Sequence, residues 1–530
     1  MKTPTSAILA LSCILLSLVS FAASTSKHHH SFLQCLSHHS NATIPIYTPN
    51  TSSYTSVLEF SIQNLRFSTP TTRKPQFILT PLNESHVQSA VICSRKYRLH
   101  LRIRSAGHDY EGLSYVSDVP FILVDLINLA SIDVNAEKRT AWVQSGATNG
   151  GLSYTISEAS RNFGFPAGIC PTVGIGGHFI GGGYGVLLRK YGLAADNILD
   201  ARIVNVDGKI LTRKTMGDDL FWAIRGGGGG SFGVVISWKV RLVKVPDIVT
   251  VFKINRNLEQ GATKLVHRWQ FFADKLPQEL FIRIVFDNVN ATQTSNRTVQ
   301  ASFQALFLGK LKKLTSIMEK NFPELGMKHE DCKEMSFVQA TLYFADYPPD
   351  GPTKVLLDRK PLIPVEYFKA KSDYVTEPIS ETGLDGIWKM MLETTKPEVI
   401  FSPYGGRMSD ISETAIPFPH RKGNIYKIQY LIYWDEEGEK VSRAHIDWIR
   451  KLYIYLAPYV SKSPRAAYIN YRDLDLGQSK NGTASYSEAR TWGYKYFKDN
   501  FDRLVKVKSK VDPGNFFRNE QSIPTWGMKD

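Results

Sequence analysis

The chain has 530 residues, a formal charge of +15, and 43% hydrophobic and 21% charged side chains. That length is too great for one hydrophobic core and calls for two or three domains. The basic residues are scattered with no long Lys/Arg run, so nucleic acid is not an expected partner, and an anionic cofactor or an acidic extracellular matrix accounts for the charge equally well.

In chain order, Lys2 precedes an apolar run from Ala7 to Ala23 that closes on the small residues Ala22, Ala23 and Ser24. This is the pattern of a secretory signal peptide over residues 1–24. No later apolar run reaches about 18 residues, so no membrane span is expected after cleavage. Six Asn-x-Ser/Thr sequons, at Asn41, Asn50, Asn83, Asn290, Asn296 and Asn481, agree with a secreted glycoprotein. Cys13 leaves with the leader. Among Cys35, Cys93, Cys170 and Cys332, the natural pairing in an oxidising compartment joins Cys35 to Cys93, although four cysteines allow three connectivities. Residues 25–73 read as a polar N-terminal arm, and the histidines at 28–30 and 38–39 as part of its solvated surface rather than a metal site.

A first domain is expected over residues 74–247. Pro75–Pro81, His100–Arg104, Phe121–Leu126 and Thr140–Ser145 read as strands, and Glu84–Tyr97 and Ser153–Asn162 as helices, a mixed α+β pattern. Gly164–Gly185 then packs nine glycines around Cys170. At that density the backbone can pass close to a flat or phosphorylated ligand. Upstream, Arg102–Tyr115 sets His108 in a tight polar loop after a strand, and the two stretches read as walls of one cofactor site. Ile198–Val206, Lys209–Thr212 and Asp219–Arg225 alternate strand and helix. Gly228, Gly230 and Gly233 satisfy G-x-G-x-x-G, but a β-branched run follows where the dinucleotide fingerprint needs a helix, so that reading is rejected.

The character changes near Val245–Asp247. Residues 248–466 read as a second domain, with an antiparallel sheet (Ile282–Asp287, Ala301–Leu308, Tyr426–Trp434) and helices on one face (Ala262–Leu276, Ser442–Leu456). In the tail, 467–530, Ser487–Lys508 reads as one amphipathic helix stopped by Val511-Asp512-Pro513-Gly514, with the tail returning to the first domain.

RSAGHDYEGLSY, GICPTVGIGGHFIGGGYG, RGGGGGSFGVV, NYRDLDLG and VDPGNFFRNEQSIP together resemble the plant berberine-bridge-enzyme-like family of FAD-linked oxidoreductases over nearly the whole mature chain. The resemblance implies an α+β fold of the vanillyl-alcohol-oxidase type. A two-part FAD-binding domain of the PCMH type would carry a substrate domain whose antiparallel sheet is covered by helices. FAD would be attached twice, by His108 at the 8α carbon and Cys170 at C6. It would lie among Arg104, Ser105, Ala106, Gly107 and Asp109, Ser145 and Gly146, then Val173, Gly174, Gly176, Gly177, His178 and Gly181, with Val235 and Asn470 completing the site. The family's substrate chemistry maps onto Tyr110, Tyr184, Lys427, Gln429, Tyr468 and Tyr471, and no metal is implied.

On the predicted strand Tyr426–Trp434, Lys427, Gln429 and Leu431 share one face by the period of two. A tyrosinate is expected to take the hydroxyl proton of an alcohol, with the Lys427 ammonium lowering its pKa from about 10, while Gln429 orients the substrate oxygen. Val173 stands where the family's small residues go with oxygen access, which implies an oxidase releasing peroxide. Ala106 stands where many relatives have a second glycine, and Thr148–Tyr154 departs from the usual leucine- and glutamate-containing version.

Lys427 with Gln429 is similar to members that oxidise allylic alcohols such as monolignols, whereas members that close rings on amines more often carry a glutamate near Gln429. The tail also resembles cannabinoid-synthase-type oxidocyclases and mulberry-family relatives, which implies, as alternatives, ring closure or a Diels–Alder cycloaddition of prenylated phenolics. An oligosaccharide oxidase is a third reading. The expected partners are an aromatic small molecule and molecular oxygen, and the expected state is a monomer in the cell wall or vacuole.

Overall fold

The computed structural model describes residues 29–527 except 41–42, 229, 292–296, 361, 363 and 481. The expected leader, His28 and the sequons at Asn41, Asn296 and Asn481 lie outside the described residues. The N-terminal arm differs from its expected solvated form. Residues 29–39 form a helix that buries Phe32, Cys35 and Leu36, and Cys35 is disulfide-bonded to Cys93 in the helix Glu84–Lys96. The histidines flank this apolar stripe, so polar composition hid an amphipathic helix. The arm then adds the strand Ile46–Tyr47, antiparallel to Phe77–Leu79.

Phe77–Leu79, Phe121–Asp125 and His100–Arg104 pair in parallel. All five residues of Phe121–Asp125 are buried, the signature of a central parallel strand covered on both faces. A second, antiparallel sheet runs in the order Ile132–Asn135, Thr140–Gln144, Val234–Arg241, Ile198–Val204, Ile210–Leu211. The helix expected at Ser153–Asn162 occupies Asn149–Ala159, one turn earlier. The Thr148 side chain accepts from the Gly151 N–H and starts it there, despite two glycines in the first turn.

The third sheet has seven strands, ordered Cys332–Met335, Val249–Asn257, Arg297–Phe307, Leu280–Asn290, Pro397–Pro403, Tyr426–Trp434, Tyr367–Val375, all antiparallel. Period-two alternation divides its residues. Ile284, Phe286, Val399, Phe401, Ile428, Tyr430 and Ile432 join the core beneath helices such as Glu381–Leu392 and Glu439–Tyr455. On the opposite face, Val285, Phe368, Ala370, Ile400 and Leu431 form a separate apolar cluster, against which Tyr110 of the first region packs.

The tail holds two helices, Tyr486–Phe497 and Asn500–Val511, where one was expected. Lys498 breaks the run at φ 46°, and the second helix turns back so closely that a Cβ on Gly493 would stand 2.2 Å from the Phe501 ring. The tail makes buried polar contacts with the first region. Lys508 Nζ donates to the Ser231 and Phe517 carbonyls, and buried Arg102 pairs with Glu520 (2.6 Å).

Candidate active site

The loop after the strand His100–Arg104 is anchored before it reaches the cavity. Arg104 is fully buried and spends its guanidinium on Asp125 (2.7 Å) and the carbonyls of Leu58 and Val57. Ser105 Oγ donates to the Ser145 carbonyl (2.5 Å). Gly107 has φ 72°, and a Cβ there would stand 1.8 Å from the Ser61 oxygen, so this turn accepts only glycine. His108 follows, half-buried. Its Nε2 lies 3.0 Å from Thr172 Oγ1, which joins the His108 loop to the Cys170 loop. Burial lowers the His108 pKa to about 4.

Across this junction Cys170 is exposed, and the protein around it disfavours the thiolate and raises its pKa. Val173, three residues on, and Ala106, whose backbone lies against Gly174, are half-buried. Gly174 and Gly176 press against Ser105 and Ser145, and Gly181 against Asn470, too closely for side chains. Gly177 differs. It is exposed, and no atom lies within 4 Å of where a Cβ would stand. An open glycine surface with an exposed thiol and a half-buried imidazole nearby is a cradle suited to a flat cofactor. His178 Nε2 accepts from the Gly168 N–H, and its carbonyl accepts from Asn470 Nδ2 (2.9 Å). The Gly146 carbonyl accepts from Arg359, and Val235 sits in the core of the second sheet. Arg104, Ser145 and Val235 are thus buried in the framework behind the cradle.

The aromatic residues meet in front of it. The rings of Tyr110 and Tyr471 stack at 5.4 Å with 8° between planes, and Tyr110 meets Phe368 edge-on. The hydroxyls of Tyr184 and Tyr471 lie 2.6 Å apart, with Ser402 Oγ 3.5 Å from Tyr184. Gln429 Nε2 donates to the Tyr110 hydroxyl oxygen (2.7 Å). Tyr468 stands behind, only 2% exposed, its oxygen accepting from the Gly183 N–H and Asn470 Nδ2. Lys427 is fully buried. Its Nζ lies 3.3 Å from the Tyr184 ring centre, 4.1 Å from Tyr471 and 4.2 Å from Tyr468, with no hydrogen-bond partner among the described residues.

These surroundings correct the expected electrostatics. Burial holds the Lys427 pKa well below the usual ammonium range and pushes those of Tyr110 and Tyr471 well above the phenol range. Burial therefore favours the uncharged form of the Lys427 amine, against the standing cation expected to ionise a tyrosine.

Sequence reasoning missed the strand Pro397–Pro403, which two prolines disguised. Its alternation sets Ser402, Ile400 and Glu398 on the cavity face, opposite Lys427, Gln429 and Leu431. Glu398 also lies opposite Asp287, and its charge is felt at Tyr110, Tyr433 and Cys170. Burial, with Asp287 adding, raises the Glu398 pKa to about 7.

Comparison with known proteins gives the family. The FAD binding domain family model matches residues 75–213, and the berberine and berberine-like model matches 467–524. A tetrahydroberberine oxidase of Berberis wilsoniae is 57% identical over 505 residues, 95% of each chain. The monolignol oxidoreductase AtBBE-like 13 of Arabidopsis thaliana is 52% identical over 521 residues, 97% of this chain and 96% of that one. Among solved structures, the grass pollen allergen Phl p 4, described as having glucose dehydrogenase activity, matches with a TM-score of 0.86 at 45% identity, over 93% of this chain and 99% of its own. The two-part α+β architecture, the cradle and relatives at this level of identity lead to one conclusion: the chain belongs to the berberine-bridge-enzyme-like family of FAD-dependent oxidoreductases.

Proposed function

We propose that the protein oxidises a phenolic or allylic alcohol at the cavity between the cradle and the seven-stranded sheet. When bound, FAD supplies the two-electron acceptor. Its fit is supported by the open surface at Gly177, and His108 Nδ1 and Cys170 Sγ are the atoms that would hold it covalently. The substrate ring lies against the apolar cluster of Phe368, Ile400 and Leu431, with its hydroxyl at Tyr110 and Gln429. The observation that carries the reading is the buried amine of Lys427, which makes no hydrogen bond among the described residues. An uncharged lysine can take up a proton, and its Nζ lies over the rings of Tyr184 and Tyr471, whose hydroxyls are 2.6 Å apart. Val173 is half-buried and stands where the family's small residues go with oxygen access, which supports peroxide as coproduct.

Residues 1–24 act as a secretory leader, a reading supported by the Cys35–Cys93 disulfide, and no helix among the described residues is long and apolar enough to cross a membrane. The mature protein works as a monomer in the cell wall or vacuole.

A second reading is an amine substrate, favoured by Glu398, a half-buried carboxyl with no ion-pair partner among the described residues facing the same cavity. The test is made on purified protein. Acid denaturation should leave flavin on the chain, and coniferyl alcohol should drive oxygen uptake with peroxide release. Uptake with a tetrahydroprotoberberine amine alone would favour the second reading. Product without oxygen uptake would favour a dehydrogenase or a redox-neutral cyclase. Free flavin in the supernatant would sink the His108–Cys170 attachment.

A further inference from the structure

The stacked rings of Tyr110 and Tyr471 come from chain segments some 360 residues apart, and the charged residues beside them bind one another. Asp109 precedes Tyr110 and Arg472 follows Tyr471, and the two are ion-paired at 2.9 Å. The other Asp109 oxygen accepts from the backbone N–H groups of Glu111 and Leu113, so this carboxylate is fixed before it meets arginine. Glu111 follows Tyr110 and pairs with Lys369, which follows Phe368, the ring edge-on to Tyr110. Lys369 also pairs with Asp473 (2.8 Å), two residues beyond Tyr471. Buried Asn64 adds a direct tie between backbones, donating to the carbonyls of Tyr110 (3.1 Å) and Phe368 (3.0 Å).

Alternation on the strand Tyr367–Val375 explains the layout. Phe368 and Ala370 join the apolar cavity cluster, while Lys369 and Lys371 point to the other side and meet Asp473. The ring-bearing residues stand in front and the ionic row behind. Glu111, Lys369 and Asp473 are each no more than 3% exposed. Buried pairs of this kind add little net stability over apolar packing, but breaking one leaves an uncompensated charge, so they fix geometry more than they stabilise.

We propose that Asp109 and Arg472, with Glu111, Lys369 and Asp473, are positioning residues that hold Tyr110 and Tyr471 parallel at the substrate's hydroxyl end. The stacking is thereby set by the ionic row, not by ring contact alone. The effect on turnover rests on the reading of this cavity as the substrate site, whereas the effect on ring geometry does not.

The test compares Arg472→Met, Arg472→Lys and Asp109→Asn with the parent holoenzyme by crystal structure, flavin content and steady-state kinetics. Asp109→Asn keeps an oxygen for the two backbone donors and weakens only the ion pair, so it remains informative if Arg472→Met does not fold. Loss of parallel stacking in Arg472→Met or Asp109→Asn is expected, with kcat lowered about 10- to 100-fold, KM within about threefold and flavin content unchanged. Arg472→Lys should restore most of kcat. Unchanged ring stacking in the variants would overturn the proposal. So would a fall in thermal stability with kcat per flavin unchanged, the signature of a purely structural pair. A parent enzyme inactive on alcohols and amines would remove the proposed function, and the ring geometry would still decide this inference.

Discussion

Tyr110 meets the cavity through one hydrogen bond, from Gln429, and burial keeps its phenol protonated. Tyr110→Phe removes that acceptor and leaves a buried Gln429 donor unpaired. The expected cost is about 1–2 kcal/mol of transition-state stabilisation, a roughly 5- to 30-fold fall in kcat/KM. Steady-state kinetics on an alcohol substrate check this, and an unchanged kcat/KM would remove Tyr110 from substrate contact. At Val173 the expectation is a split between half-reactions. Val173→Leu should slow reoxidation by oxygen while leaving reduction by substrate within about twofold, read by stopped-flow absorbance. The motifs made His108, Cys170 and the tyrosines legible, because short unusual strings carry them. Glu398 and Ser402 were not legible, since their role comes from strand pairing across the sheet and no local pattern marks them.

Among the elements, the strand Tyr426–Trp434 was readable to the residue, because alternating bulky side chains announce it. The break between the tail helices was not. Helical periodicity continues through Lys498, and only the fold reveals that Phe501 needs the space above Gly493. This makes Gly493→Ala decisive. Intrinsic propensity favours alanine in a helix by about 1 kcal/mol. The ring atom 2.2 Å from the added methyl opposes it, and overpacking costs typically about 1–3 kcal/mol. The clash should win, and a lowered melting temperature for Gly493→Ala would show it. A raised one would mean that the helices separate easily. The N-terminal helix at 29–39 taught the converse. Its histidines suggested solvent, while Phe32, Cys35 and Leu36 at helical spacing decided burial.

At the scale of the whole molecule, the change of pattern near residue 247 was legible, and it separates the first region from the seven-stranded sheet, whose strand Val249–Asn257 begins just beyond it. The packing of one on the other was not, because it depends on which sheet face each side chain takes. That packing also sets the response to pH. Burial lowers the pKa values of His100, His178 and His420 to about 3 and of His108 to about 4, from 6.5. The unfolded chain therefore binds more protons than the native one below about 6.5, and the stability these groups contribute is lost as pH falls. Asp373, raised to about 6, and Glu398, raised to about 7, act in the opposite sense, losing stability as pH rises through these values. Four groups outweigh two. The melting temperature should drop as pH goes from about 7 to 5, measured by calorimetry, and a rise over that range would contradict the burial of these histidines.

Lys427 joins the three scales, since the proposal that it accepts the proton rests on its strand, its burial and its three phenol neighbours together. The direct measurement is anaerobic bleaching of the bound flavin by coniferyl alcohol, followed across pH in the parent enzyme and in Lys427→Met. The parent should be reduced quickly and lose rate as pH falls and the amine becomes protonated. Lys427→Met, with the same flavin content, should be slower by about 10²- to 10⁴-fold and lose that acid limb. A Lys427→Met enzyme reduced at the parental rate, with the parental pH profile, would show that the proton goes elsewhere.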